Sequence, residues 1–377
     1  MINLFQPNVG NEAISILEEV FSKNWLGRGE YSDRFETSLS DILKVERDKI
    51  TTMSCCTDAI FAILAVLRQR GLSGNVIVPS NSFPAVGSSV VANGFELVLC
   101  DIEKKTGNID LNKLSQIFNE ETIGVFVTHY GGIPVNIPAL RAVVGETCLI
   151  MEDAACALGS FYSDGSAVGT LSDFGCWSFD AMKLIVAGEG GAAYLRDSEM
   201  MREFREQLYL GLPISSKSGI DKAAKTDEVW WSYELNRPGT RSVFSNINAA
   251  IGLSQLPKLD GYLKRRSEIR EQYLKAFNGH KNISVVEQDN ALAHSNYFFT
   301  ILAGSRDELA IYMRDQGIYT SLRYHSLDQI SLFKSAKRTD MSGSKYFADQ
   351  ALNLPIHNSL SDEDVGKIIN IATNFGR

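Results

Sequence analysis

The sequence predicts an α/β protein, a mostly parallel sheet with helices on both faces followed by a smaller α+β lobe. Three observations predict it. Short apolar runs rich in β-branched residues alternate with stretches of helical period through the first half of the chain. That rhythm gives way near residue 245 to a long helical stretch suited to linking two lobes. The 377 residues also exceed the ~250–300 that one core usually holds. A composition of 44% hydrophobic and 22% charged residues is that of an ordinary globular chain, far from the disordered class.

In chain order, the expected strands are 75–79, 95–101, 122–128, 148–153, 174–179 and 190–195. Between the first of them lie crossover helices over 57–69 and 82–93, the second stopped by Asn93-Gly94. A polar, Ser- and Lys-rich stretch, 213–228, reads as a surface loop. From 245 to 277 the period is helical, with Ile247, Ala250, Ile251 and Ser254 on one face and a break at Pro257. Segments 284–303 and 317–322 read as strands of the smaller lobe. The expected division is a large domain over 1–250 and a linking helix plus small domain over 251–377, with the first ~12 residues packing on the small domain.

The formal net charge of −8 would repel a phosphate backbone, and no basic stripe interleaves with aromatics, so nucleic acid is excluded as a partner. The cluster Lys264-Arg265-Arg266 with Arg270 sits among Glu268 and Glu271 and reads as a solvated helix face. No apolar run reaches the ~18 residues of a spanning helix, and the amino terminus lacks the pattern of a secretory signal. Six scattered cysteines form neither a disulfide framework nor a metal site, and they read as reduced thiols of a cytoplasmic protein. No Gly-x-Gly-x-x-Gly opens a helix after the first strand, which argues against a dinucleotide-binding dehydrogenase.

In an open α/β sheet the chemistry sits beyond the carboxyl ends of the strands. Glu152-Asp153 ends one apolar run in that way; an acid there also suits a helix N-cap. The next run, Cys176-Trp177-Ser178-Phe179, leads within a short loop to Lys183, set in Ala181-Met182-Lys183-Leu184-Ile185-Val186-Ala187. An apolar setting depresses a lysine pKa and favours the nucleophilic amine. The glycines of Gly188-Glu189-Gly190-Gly191 allow the close backbone approach that a bulky planar ligand needs.

Over nearly its whole length the sequence resembles the DegT/DnrJ/EryC1/StrS sugar aminotransferases, of pyridoxal 5′-phosphate (PLP) fold type I in the aspartate aminotransferase superfamily. The likeness is carried by 152–159, by Trp177-Ser178-Phe179 leading to Lys183, by Gly188-Glu189-Gly190-Gly191, by 249–256 and by Leu354-Pro355-Ile356-His357. It implies a large domain with a seven-stranded, mostly parallel sheet. It also implies that Lys183 carries PLP as a Schiff base and then shuttles a proton, and that Asp153 pairs with the ring nitrogen. The cofactor phosphate is then expected at the turn of Cys56, Thr57 and Asp58 with the Ser178 hydroxyl, where a helix N-terminus favours an anion. Phe83 stands where relatives stack an aromatic ring on the cofactor, and Tyr324 and His325 match a segment near the substrate cleft.

Three positions depart from the family pattern. Cys156 replaces a Gln or His near the cofactor's phenolic oxygen, Cys55-Cys56 replaces Ser-Gly at the phosphate turn, and Thr240-Arg241-Ser242-Val243 replaces an aromatic-Asn-aromatic-Arg stretch. Arg241 there would reach the phosphate of a neighbouring subunit, which makes a homodimer with shared active sites the expected assembly. The implied activity is transfer of an amino group, from L-glutamate, onto a keto-sugar: a nucleotide-linked 4-keto or 3-keto deoxyhexose, or an 8-keto octulosonate, in amino-sugar or surface-polysaccharide biosynthesis. Two alternatives stand beside it. One is a PLP-dependent sugar dehydratase, of which one branch replaces the lysine by histidine and so conflicts with Lys183. The other is a non-catalytic PLP-binding regulatory protein.

Overall fold

A computed structural model describes residues 1–212, 235, 237–289 and 292–376. Its larger sheet is built from β1 (Ile50–Met53), β2 (Asn75–Pro79), β3 (Glu96–Cys100), β4 (Thr122–Thr128), β5 (Leu149–Asp153), β6 (Phe174–Ser178) and β7 (Gly191–Leu195). Strands β2 to β6 run parallel to their neighbours, whereas β7 lies antiparallel between β1 and β6. The order is β1-β7-β6-β5-β4-β2-β3, and an eighth, two-residue strand, Lys337–Arg338, joins the β3 edge. The smaller sheet, antiparallel, is formed by Ile283–Val285, Phe299–Ala303 and Ala351–Leu354.

Alternation along each strand explains the layers. Val76 and Val78 of β2 face the helices Cys56–Gln69 and Pro84–Ala92, while Ile77 between them faces the helices Leu111–Ile117 and Ile137–Val144. Both faces of the sheet are therefore dry, which is why these strands read as unbroken apolar runs. A third cluster joins Val20 of the helix Glu12–Ser22 and Tyr31, Phe35 and Leu39 of the helix Glu30–Leu43 to Phe244, Ala249 and Ala250. The small sheet has its own core with Ile269, Tyr273 and Ile368. The chain's start is tied to this part of the molecule: Ile2 bridges Ile318, and the Asn3 carbonyl lies 3.1 Å from His357 Nε2. Among the described residues no helix is long and apolar enough to cross a membrane.

Several expectations need correction. Segment 317–322 makes only isolated bridges, from Ile318 to Ile2 and from Ser321 to Asn353 of the strand Ala351–Leu354. Segment 284–303 is interrupted and contributes to two strands that pair with each other. The 245–277 stretch, by contrast, divides at Pro257 as expected, into helices Asn246–Leu253 and Leu259–Phe277. Arg266 is not on a solvated face. It is buried and donates to the carbonyls of Asn296, Tyr297 and Ile356, at 3.1, 3.4 and 2.6 Å. The loop expected over 213–228 lies outside the described residues.

The glycines 190 and 191 serve the protein's own packing. A Cβ on Gly191 would sit 2.5 Å from Cys55 C and Cys56 N, so its absence lets β7 press against the turn that opens the helix Cys56–Gln69. Gly190 likewise leaves room for the Phe244 ring. We expect Gly191→Ala to lower stability by about 1–3 kcal/mol, since backbone rather than a flexible side chain must yield. Denaturant unfolding of the variant against the parent checks this.

Candidate active site

Register brings the functional side chains together. Thr128, Asp153 and Cys176 pair across β4, β5 and β6, and one row further on Ser178 pairs with Gly191, which pairs with Met53 of β1. The helix Cys56–Gln69 begins three residues after Met53, with Cys55 as its N-cap in an extended conformation. A cleft of ≈ 780 Å³, open to solvent, lies over these strand ends. Asp153, Lys183, Ser178, Thr57, Phe83 and Tyr324 all line it.

Lys183 is placed by a tight turn in which its N–H donates to the Asp180 carbonyl at 3.0 Å, and Met182 N–H donates to the Asp180 carboxylate at 2.7 Å. Its amine points at Cys156 Sγ, 3.6 Å away, and lies over the Tyr297 ring, 4.9 Å from the centroid. Burial alone would lower the lysine's pKa, as its apolar sequence context predicts. The structure reverses that direction: interaction with Cys156, Tyr297, Tyr324 and Asp180 outweighs burial and holds Lys183 above the ordinary lysine value.

Asp153 is buried, and burial pushes its pKa up; the Ala155 N–H, donating at 3.0 Å, and the charge of Lys183 oppose the rise. Its N-cap-like bond and its place in the cleft therefore coexist. The preceding residue faces the other way. Glu152 is fully buried, yet bonds from His129, Ser172 and Gly169 outweigh that burial and keep its pKa below the usual carboxylate value. Its carboxylate meets His129 Nε2 at 2.9 Å, Tyr162 Oη at 3.2 Å, Gly169 N at 3.0 Å and Ser172 N at 2.9 Å. His129 Nδ1 in turn accepts Val135 N–H at 3.0 Å, which leaves Nε2 to donate to Glu152. This network fixes the end of β5 from behind the site.

At the other end of the cleft the first-turn amides of the helix Cys56–Gln69 face outward with no intrahelical acceptor, beside the Ser178 hydroxyl. Asp58 is placed differently: its N–H donates to the Cys55 carbonyl at 3.2 Å, its carboxylate accepts from Ser54 and Ser242 at 2.5 and 2.6 Å, and it does not line the cleft. Phe83, 46% exposed, stands in the cleft wall edge-on to Tyr324, with centroids 5.9 Å apart. Cys156 sits behind the Lys183 amine, 3.8 Å from Tyr324 Oη, with its thiol pKa raised by burial. Two residues stand outside: His325 is exposed and off the cleft, and the Arg241 guanidinium lies over the Tyr209 ring at 5.2 Å.

Sequence reasoning missed Phe5, Tyr297 and Arg323, which also line the cleft. Phe5 and Tyr297 stack at 5.3 Å with an 18° interplanar angle. It also missed that Cys56, Asp153 and Cys176 bring donor atoms within 4.8 Å of one another. There the Cys176 thiol is held protonated, first by its bond to Cys56 and then by burial.

With this geometry in hand, known proteins were compared. The family model described as the DegT/DnrJ/EryC1/StrS aminotransferase family matches residues 7–373. A dTDP-4-dehydro-2,3,6-trideoxy-D-glucose 4-aminotransferase of Saccharopolyspora spinosa is 33% identical over 369 residues, covering 97% of this chain and 94% of that protein. The spore coat polysaccharide biosynthesis protein SpsC of Bacillus subtilis (strain 168) is 28% identical over 377 residues, 96% of this chain and 94% of that one. The crystal structure of the aminotransferase TlmJ from Streptoalloteichus hindustanus superposes with a TM-score of 0.90 at 32% identity, covering 99% of this chain and 98% of that one.

The Glu152 network gives a pH test. A carboxylate with a depressed folded pKa contributes stability that is complete above its unfolded value, here 4.5, and is lost as pH falls through the folded value. Glu152→Gln, which loses charge-assisted bonds, is expected to cost roughly 2–3 kcal/mol at pH 7 and to flatten the acid limb of the stability curve. Thermal unfolding from pH 7 to pH 3 checks both effects.

Proposed function

The chain belongs to the DegT/DnrJ/EryC1/StrS aminotransferase family, and from that premise we propose that it transfers an amino group from L-glutamate to the ketone of a nucleotide-linked 4-keto or 3-keto deoxyhexose. It is a PLP-dependent enzyme. The reading is carried by one observation: an amine and a buried carboxylate meet in the same cleft, with a helix N-terminus at its far end. The name of the Saccharopolyspora spinosa relative, at 33% identity, supports a dTDP-linked 4-keto sugar as the acceptor class.

The residues present fit PLP. A cofactor with an aldehyde, a basic ring nitrogen and a phosphate needs an amine, a carboxylate and an anion site, and Lys183, Asp153 and the Cys56-Thr57-Ser178 end supply them in one cleft. When bound, PLP supplies the aldehyde on which an amino group is carried and a ring that withdraws electrons from the reacting carbon. In our reading Lys183 holds the cofactor and, once released, takes and returns the proton at the carbon whose oxidation state changes. Asp153 keeps the ring nitrogen protonated, a task for which the network behind β5 fixes its position. Thr57 and Ser178 hold the phosphate, and Phe83 covers one face of the ring.

Cys156 replaces a stronger hydrogen-bonding side chain near the phenolic oxygen, and we assign it a packing contact behind the Lys183 amine. Arg241 lies outside its own chain's cleft, and we assign it to the phosphate of the neighbouring subunit in a homodimer.

Purified protein with PLP is expected to show an absorption band at ~420 nm that fades on addition of L-glutamate and returns with the correct keto-sugar. Lys183→Ala is expected to lose the band and to lower amino transfer by at least ~10²–10⁴-fold, the usual worth of a positioned acid–base group. Undiminished transfer by that variant would remove the reading.

A further inference from the structure

Three buried donor groups meet at the back of the cleft, each from a different element. Cys56 comes from the first turn of the helix Cys56–Gln69, Asp153 from the end of β5 and Cys176 from β6. Cys56 Sγ, a carboxylate oxygen of Asp153 and Cys176 Sγ lie within 4.8 Å of one another, and among the described residues no other trio of His, Cys, Asp or Glu is so placed. Amino transfer makes no use of either thiol. The glycine that the family pattern places at 56 would leave Cys176 without a second sulfur, so the trio depends on a residue in which this sequence departs from that pattern.

The donor set selects its ligand. Two sulfurs and one carboxylate suit a soft or borderline divalent cation such as Zn²⁺, whereas Mg²⁺ and Ca²⁺ take oxygen. Donor atoms around a tetrahedral Zn²⁺ are roughly 3.5–4 Å apart, a separation that side-chain rotation brings within reach of this trio. Cys56 and Asp153 line the cleft and give an ion its path, while Cys176 is fully buried behind them. The backbone steadies two of the ligands: Asp153 Oδ1 accepts the Ala155 N–H at 3.0 Å, and the Cys176 carbonyl accepts the Ala154 N–H at 2.9 Å. The two thiols already hydrogen-bond to each other. Two thiolates and a carboxylate carry one negative charge more than the cation neutralises, and the charge of Lys183, which acts on Asp153, lies close enough to offset it.

We infer that Cys56, Asp153 and Cys176 form a site for a zinc-class divalent cation, and that the ion competes with PLP for the Asp153 carboxylate. Binding forms two metal–sulfur bonds and one metal–oxygen bond, the two thiol protons leave to solvent, and nothing is oxidised or reduced. From the described residues the carboxylate receives only the Ala155 N–H, so its remaining capacity faces one partner at a time, a cation or the ring nitrogen of the cofactor. The ion thereby opposes cofactor loading, and the chain gains a metal-responsive off state. The competition rests on the PLP reading of Asp153; the metal site stands on the geometry of the trio.

The test uses the full-length chain, kept reduced by a phosphine and free of PLP, dialysed against zinc sulfate and assayed for metal by elemental mass spectrometry. One zinc per chain is expected, bound at least ~10-fold more weakly by Cys56→Ser and by Cys176→Ala. Circular dichroism shows which variants fold; zinc held as tightly by the folded variants as by the parent overturns the site. Cobalt(II) reads the same ligands in the parent without any substitution: a sulfur-to-cobalt charge-transfer absorption supports thiolate ligation, and its absence contradicts it. For the competition, zinc at 100 times its Kd is expected to raise the PLP concentration that gives half the ~420 nm band about 100-fold. An unchanged PLP requirement overturns the shared carboxylate. Should the parent give no such band with PLP at all, the PLP reading fails, and the zinc and cobalt results still decide the metal site.

Discussion

Burying an acid and an amine in one cleft is costly, and each is offset by its own surroundings. Asp153 is pushed toward its neutral form by burial and drawn back by the Ala155 N–H and the charge of Lys183. Lys183 is pushed toward its neutral form by burial and drawn back, further still, by Cys156, Tyr297, Tyr324 and Asp180. Neither side chain would be tolerated ionised where it is without this company. The candidate site is therefore a property of the assembled cleft, and of no single motif.

The scaffold's task is to bring that company together. Parallel pairing of β4, β5 and β6 sets Thr128, Asp153 and Cys176 side by side, and the antiparallel insertion of β7 carries Gly191 against the turn at Cys55-Cys56. Behind the strands Glu152 gathers four donors, so the β5 end cannot shift without unpairing buried groups. In front, residues from the amino terminus, from 297–298 and from 323–324 close the cleft with aromatic rings.

The parts legible in the sequence are those set by local pattern. Strands β2 to β7 are buried on both faces and so stand out as apolar runs, and the polar residues that end β5 and β6, Asp153 and Ser178, line the candidate cleft. Strand β1 and Lys337–Arg338 are short edge pieces with no distinctive period, and 317–322 pairs with single distant residues, so their pairings are invisible before folding. Phe5 and Tyr297 carry no local signal, and Arg323 stands beside Tyr324 in the family-like stretch without being singled out; all three reach the cleft through contacts spanning more than a hundred residues from Lys183. Arg266 was misread for the same reason, since its acceptors are carbonyls up to 90 positions away.

The central claim is that the Lys183 amine bonds covalently to the cofactor in the pocket shared with Asp153. Borohydride reduction of the PLP-loaded protein, followed by digestion and mass spectrometry of its peptides, tests it most directly. The account predicts a pyridoxyl phosphate adduct on the peptide that carries Lys183; an adduct confined to a different lysine would contradict it.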